Sequence, residues 1–143
     1  MDKESITLLA IAADPDGGLS PIQLQKSLFI VGQSGLEELP ADYYEFSPYN
    51  YGPFTSEVYS ITDTLEGQGL VRKIIAGGEN FNRYALTPEG RVRAEEVRKG
   101  SPGSLCDYID ATVRWVCSLS FDELLRAIYA NYPDYAINSV FQE

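Results

Sequence analysis

Apolar residues first recur along the chain at helical spacing. Ile6, Leu9, Ala10 and Ala13 stand at i, i+3, i+4 and i+7, which predicts an amphipathic helix over 3–13. Asp14-Pro15-Asp16-Gly17-Gly18 turns the chain. Ser20-Pro21 then reads as an N-cap with proline at the first helical position, opening a helix to about Gln33 with Leu24, Leu28 and Val31 on one stripe. A loop with Pro40 follows, and Tyr43 to Phe46 reads as a short strand. Thr55 is expected to cap a third helix to about Gln68, with Phe54, Val58, Ile61 and Leu65 on one side.

Beyond Gly69 the period changes. Leu70 to Ile75 and Phe81 to Leu86 read as strands around the turn Ala76-Gly77-Gly78-Glu79-Asn80, a hairpin with a glycine-rich tip. Thr87-Pro88-Glu89 opens a helix to about Lys99, with Gly90 as a weak point at its start. Gly100 to Ser104 is the best linker candidate, too short to imply a second independent domain. Leu105 to Leu119 reads as a helix. Ser120 caps another, with Phe121, Leu124, Leu125, Ile128 and Tyr129 facing one way, before Asn131-Tyr132-Pro133-Asp134 breaks it.

Helix, helix, helix, hairpin, helix is the element order of a winged helix-turn-helix. Leu65-Glu66-Gly67-Gln68-Gly69-Leu70-Val71 fits the step from helix to wing, and Tyr84-Ala85-Leu86-Thr87-Pro88-Glu89-Gly90 fits the exit from it. The expected fold is therefore α+β: a winged-helix core over 1–99 with a two-stranded wing, and a C-terminal helical extension over 105–143 packed on the same domain. Such a fold does not fix an activity.

Three stretches point further. Pro21-Ile22-Gln23-Leu24-Gln25-Lys26-Ser27-Leu28-Phe29 resembles the Leu-Gln-Lys helix of the Panacea-domain family, which includes SocA-like antitoxins. Tyr51-Gly52-Pro53-Phe54, followed by Glu57-Val58-Tyr59, resembles that family's Tyr-Gly-Pro turn and the helix after it. The tail from Glu123 to Tyr135 is similar to uncharacterised bacterial proteins of the YwgA type. Ser27 departs from the pattern, since the family helix more often has an aliphatic residue there. The resemblance implies a site built from Gln25, Lys26, Tyr51, Gly52 and Pro53, and an antitoxin or phage-defence setting.

The residues themselves single out the same corner. Tyr43, Tyr44, Phe46, Tyr49, Tyr51, Phe54 and Tyr59 are seven aromatics in seventeen residues. So short a segment does not bury all of them with their hydroxyls satisfied; Phe46 and Phe54 are the expected core members. Exposed tyrosine beside a rigid Gly-Pro corner is the composition of a protein-binding hot spot. The expected partner-binding residues are Gln25, Lys26, Tyr49, Tyr51, Gly52, Pro53 and Tyr59. The plainer alternative is that Lys26 and Tyr51 brace the corner through a hydrogen bond.

Charge bears on the rival reading, a DNA-binding regulator. The chain has a formal charge of −10, against the basic footprint usual in nucleic-acid binders. The third helix carries no Lys or Arg among its polar positions, where a major-groove reader sets cations against phosphates and bases. Yet residues 72–99 hold seven bases and four acids, a net +3, while the remainder carries −13. A wing with Arg72, Lys73 and Arg83 would be the DNA contact. Against this stands a solvated hairpin, with Arg91, Arg98 and Lys99 pairing Glu95 and Glu96 along their helix.

Catalysis finds little support. The chain has no histidine, which removes His-based triads and His-containing zinc sites. Asp14-Pro15-Asp16-Gly17-Gly18 lacks the ligand spacing of an EF-hand, and the pair Asp107 and Asp110 reads as solvated. Phosphate-binding glycine loops and nucleophile elbows are absent. Cys106 and Cys117 lie ~16 Å apart along a helix at 1.5 Å per residue, beyond disulfide reach. No enzyme, cofactor or metal site is expected. The N-terminus has no signal-peptide pattern and no apolar run is long enough to span a bilayer, so a cytoplasmic protein is expected. Trp115, Phe121 and Tyr129 on the C-terminal helices are either a homodimer interface or ordinary core.

Overall fold

The computed structural model describes residues 1–75, 78 and 82–141. Four of its six helices begin on a side-chain cap. Asp2 accepts the Ser5 N–H at the start of α1 (Lys3–Ala12). Ser20 and Gln23 form a reciprocal capping box at the start of α2 (Pro21–Gly32), and Ser120 with Glu123 does the same for α6 (Phe121–Asn131). Thr87 caps α4 (Pro88–Lys99) through the Gly90 N–H. Each cap satisfies helix-end donors that would otherwise be left bare.

Helix α3 (Glu57–Gly67) starts differently from expectation. Its N-cap position is Ser56, which makes no side-chain cap bond, while the Thr55 hydroxyl takes the Glu57 N–H at 3.3 Å. Helix α5 (Gly103–Cys117) follows α4 after three residues, so 100–104 is a tight corner rather than a linker. The corner is tied by Arg98, whose guanidinium forks onto both carboxylate oxygens of Asp110 at 3.0 and 3.1 Å. Arg98 therefore pairs across helices and not with Glu95 or Glu96, and Asp110 is a bonded group rather than a solvated one. Along α4 itself the pair is Arg93 with Glu96.

The strands form two antiparallel hairpins. The expected strand over 43–46 is irregular; the first hairpin pairs β1 (Ser47–Tyr49) with β2 (Gly52–Phe54). In this irregular stretch Tyr44 is buried in the core, its hydroxyl on the Thr7 hydroxyl at 2.8 Å. The second hairpin pairs β3 (Val71–Ile75) with β4 (Asn82–Leu86), from Val71 opposite Leu86 to Ile75 opposite Asn82. Within the expected tip only Gly78 is described; residues 76, 77, 79 and 80, and Phe81 of the expected strand, lie outside the described residues. Leu19 joins the second hairpin by exchanging both backbone bonds with Tyr84, at 2.8 and 2.9 Å. The described residues thus make an α+β fold of six helices and two small hairpins.

The main core lies between α1, α2, α3, α5 and the second hairpin, around Ile6, Leu9, Leu24, Leu28, Val58, Leu86, Ile109 and Val113. A second cluster joins α2 to the C-terminal helices through Phe29, Val116, Leu124, Leu125, Ile128 and Tyr129. Phe29 is its hub, with edge contacts to Phe46, Tyr132 and Tyr135 at ring separations of 5.5, 5.1 and 4.7 Å. Phe121, expected on the buried stripe of α6, is 41% exposed instead. Among the described residues no helix is long and apolar enough to cross a membrane.

Candidate functional site

The first hairpin stands between α2 and α6, and its shape follows from a few residues. Its two-residue tip is Asn50-Tyr51, so Gly52 and Pro53 form the second strand rather than the turn. Gly52 has φ +87°, a backbone region that side chains disfavour, and a Cβ there would lie 3.4 Å from the ring of Tyr129. The C-terminal segment holds the tip from outside. Val140 N–H and the Ser139 hydroxyl both donate to Asn50 O, Asn138 donates to Pro48 O, and the Tyr129 hydroxyl donates to Ser139 Oγ at 2.6 Å.

On the α2 side two polar side chains fasten the hairpin. The Gln25 amide makes a reciprocal pair with the backbone of Thr55, donating to its carbonyl at 2.8 Å and accepting its N–H at 3.2 Å. Lys26 donates from Nζ to Pro53 O at 2.8 Å. The bracing bond thus runs from Lys26 to Pro53, not to Tyr51. Lys26 is only 3% exposed, and burial pulls its ammonium down to about pKa 8. Even so, most of the population is charged at pH 7, in an apolar place with one acceptor for three donors. Next to it Ser27 is fully buried, and its hydroxyl has no partner among the described residues.

Between hairpin and helices opens a cavity of about 230 Å³, lined by Pro21, Ile22, Gln25, Lys26, Tyr49, Tyr51, Gly52, Phe54 and Tyr59. Six of the seven expected partner-binding residues line it, and the seventh, Pro53, contributes the carbonyl that holds Lys26. Tyr49 and Tyr51 form its rim, 55% and 46% exposed. Tyr49 stacks on Phe54 at 5.1 Å, Phe54 packs against Tyr59 at 5.9 Å, and Tyr51 meets Phe121 edge-on at 5.5 Å. Phe54 is therefore a half-buried cavity wall, not a core residue, and Phe46 is likewise half-buried. Of the seven aromatics between 43 and 59, Tyr44 is the buried one. Pro21, Ile22 and Phe121 were absent from the sequence-based site. They belong because α2's first turn and α6's first turn converge on the hairpin, which no local signal reports.

The wing residues are arranged otherwise. Lys73 sits within 3.5 Å of Asp63 and 3.8 Å of Glu66, two of the three acids of α3. Arg83 folds back to Gly18 O at 3.2 Å and to the Gln23 amide oxygen at 3.4 Å. Arg72 is exposed. On the C-terminal helices Trp115 is exposed beside Tyr108, Ala111 and Ile30, whereas Tyr129 is buried beneath Gly52 and is not available to a second copy. Cys106 and Cys117 are free, and burial pushes both thiols up, Cys117 to about pKa 11.

No family model matches the chain, and no curated protein matches it.

Proposed function

We propose that this chain is a protein-interaction module whose binding site is the cavity and tyrosine rim between α2 and the first hairpin. The observation that carries this reading is the cavity's construction: a hairpin fastened to α2 by the Lys26 and Gln25 bonds, with two half-exposed tyrosines at the rim and an adjoining exposed phenylalanine. Large aromatics held by pre-formed contacts are the groups that dominate binding energy at protein interfaces. The net charge of −10 adds long-range attraction for a basic partner.

The scaffold in this proposal is a winged helix. Its three helices, the Leu19–Tyr84 bridge and the β3–β4 hairpin suit that arrangement, with the β1–β2 hairpin inserted between its second and third helices. The Leu-Gln-Lys helix and the Tyr-Gly-Pro segment meet at Lys26 Nζ and Pro53 O; in this proposal the chain is a relative of Panacea-domain and YwgA-type proteins and works in an antitoxin or phage-defence setting. DNA contact through the wing draws less support. Lys73 is paired with two acids of α3, and Arg83 is turned inward, so phosphate binding would first have to break these contacts.

The test is capture of the partner from the native host, followed by titration of the purified partner against the wild type and Tyr51→Ala. The rim variant is expected to weaken binding by about 2 kcal/mol, roughly thirtyfold, with unchanged circular dichroism. Equal affinity for both proteins would remove the tyrosine rim as the site. Retention of DNA fragments that falls steeply with salt, and falls further in Arg72→Ala, would favour the wing instead.

A further inference from the structure

Lys26 leaves a charge unanswered. Pro53 O is the only acceptor within reach of Nζ among the described residues, and no carboxylate lines the cavity. The Gln25 amide is committed to the backbone of Thr55, so it does not quench the ammonium either. The other titratable side chains that line the cavity are Tyr49 and Tyr51 of the hairpin and Tyr59 of α3. A buried ammonium with spare donors favours an anion over water, and the surrounding walls are Pro21, Ile22, Phe54 and tyrosine rings. Phosphate, with several charges and no apolar body, suits one cation in such walls poorly. A single carboxylate joined to an apolar group suits it well.

Size narrows the occupant. At about 230 Å³ the cavity is smaller than the roughly 300–1,000 Å³ that holds drug-sized ligands and cofactors. It has the scale of one large side chain with its carboxylate. Tyr49 and Tyr51 at the mouth supply contact for the chain that would lead away from it.

We propose that the cavity receives the carboxyl-terminal residue of the partner protein, an apolar or aromatic one, with its free carboxylate on Lys26 Nζ and its side chain among Ile22, Tyr49, Phe54 and Tyr59. This rests on the interaction reading above and names the feature of the partner that is recognised. Capture of a chain end by a fixed donor is a recurrent mode of peptide recognition. The strongly acidic surface disfavours partners that are acidic overall, so the lone carboxylate belongs to a chain that is otherwise neutral or basic.

The probes are acetyl-Gly-Gly-Phe and acetyl-Gly-Gly-Leu, each as free acid and as carboxamide, titrated into the full chain and followed by NMR shifts. Wild type is expected to bind at least one acid about tenfold or more tightly than its carboxamide, as a charge-assisted hydrogen bond implies. Lys26→Met, nearly isosteric, is expected to abolish that preference. Equal binding of acid and carboxamide for both sequences, or no binding by any of the four peptides, overturns the inference. So does an acid preference that survives Lys26→Met. The comparison on wild type needs no variant, so a misfolded Lys26→Met leaves the test intact. Failure of the two readings is told apart on the captured partner. Affinity lost with Tyr51→Ala but kept when the partner's last residue is deleted sinks the chain-end inference and leaves the interaction surface standing.

Discussion

Lys26 also gives the molecule a characteristic pH response. Its ammonium titrates near 8 in the fold, because burial disfavours the charge, against 10.5 ordinarily. Between these values the unfolded chain binds more protons than the folded one, so this group's contribution to stability rises with pH over that window. Buried tyrosines and cysteines work the other way. Tyr43, Tyr44 and Cys117 hold their protons in the fold beyond their ordinary values, so stability is lost as the unfolded chain ionises above about pH 9. Comparing Lys26→Met with wild type cancels those shared groups. From pH 7 to pH 10 the stability of Lys26→Met relative to wild type is expected to fall by roughly 2 kcal/mol, measured by urea unfolding at each pH. A difference that does not change with pH would mean that Lys26 is well solvated or has an anionic partner in the fold.

At the scale of elements, helices and strands were legible to different depths. Ser20, Thr87 and Ser120 announced three helices because a cap is a contact between residues three apart, and so is written within a few positions. The hairpin after α2 was missed because its strands are three residues each and the register depends on neighbours far along the chain. Gly90 shows the same limit. As a helical residue it reads as a weakness, yet a Cβ there would lie 2.0 Å from the Leu70 carbonyl oxygen, where β3 begins. Helix propensity favours Gly90→Ala by up to about 1 kcal/mol, but the collision is with backbone and does not relax easily. The variant is expected to be destabilised by about 3 kcal/mol in denaturant unfolding. A stabilised variant would show that α4 can move away from β3 without cost.

Over the whole molecule, the site depends on the chain's last described stretch. Helix α6 supplies Tyr129 under Gly52, and residues 138–140 hold Asn50 and Pro48 from outside. Phe141 adds ring contacts to Phe121 and Tyr129 at 6.2 and 6.4 Å. Truncation after Ala136 removes the ties made by residues 138–141 but leaves Tyr129 and the main core, which is built largely from α1, α2, α3, α5 and the second hairpin. Amides of residues 47–54 are then expected to exchange about tenfold faster or more, while those of α1 stay protected. Equal loss of protection in α1 would make the tail part of the global folding unit.

The sequence by itself determined the helices and the paired strands of the second hairpin, and it singled out the corner that carries Tyr49, Tyr51 and Pro53. Caps, apolar periods and turn residues act over three or four positions, so they survive in the linear order. Only the tertiary structure decided which aromatic is core and which is rim. Tyr44 went inside and Phe54 became a wall, because burial depends on what packs from elsewhere in the chain. It alone set Lys26 against Pro53, twenty-seven residues away, in place of Tyr51. It also turned Arg83 and Lys73 toward the protein, since a charge takes whichever acceptor folding brings nearest, and sequence distance does not encode that.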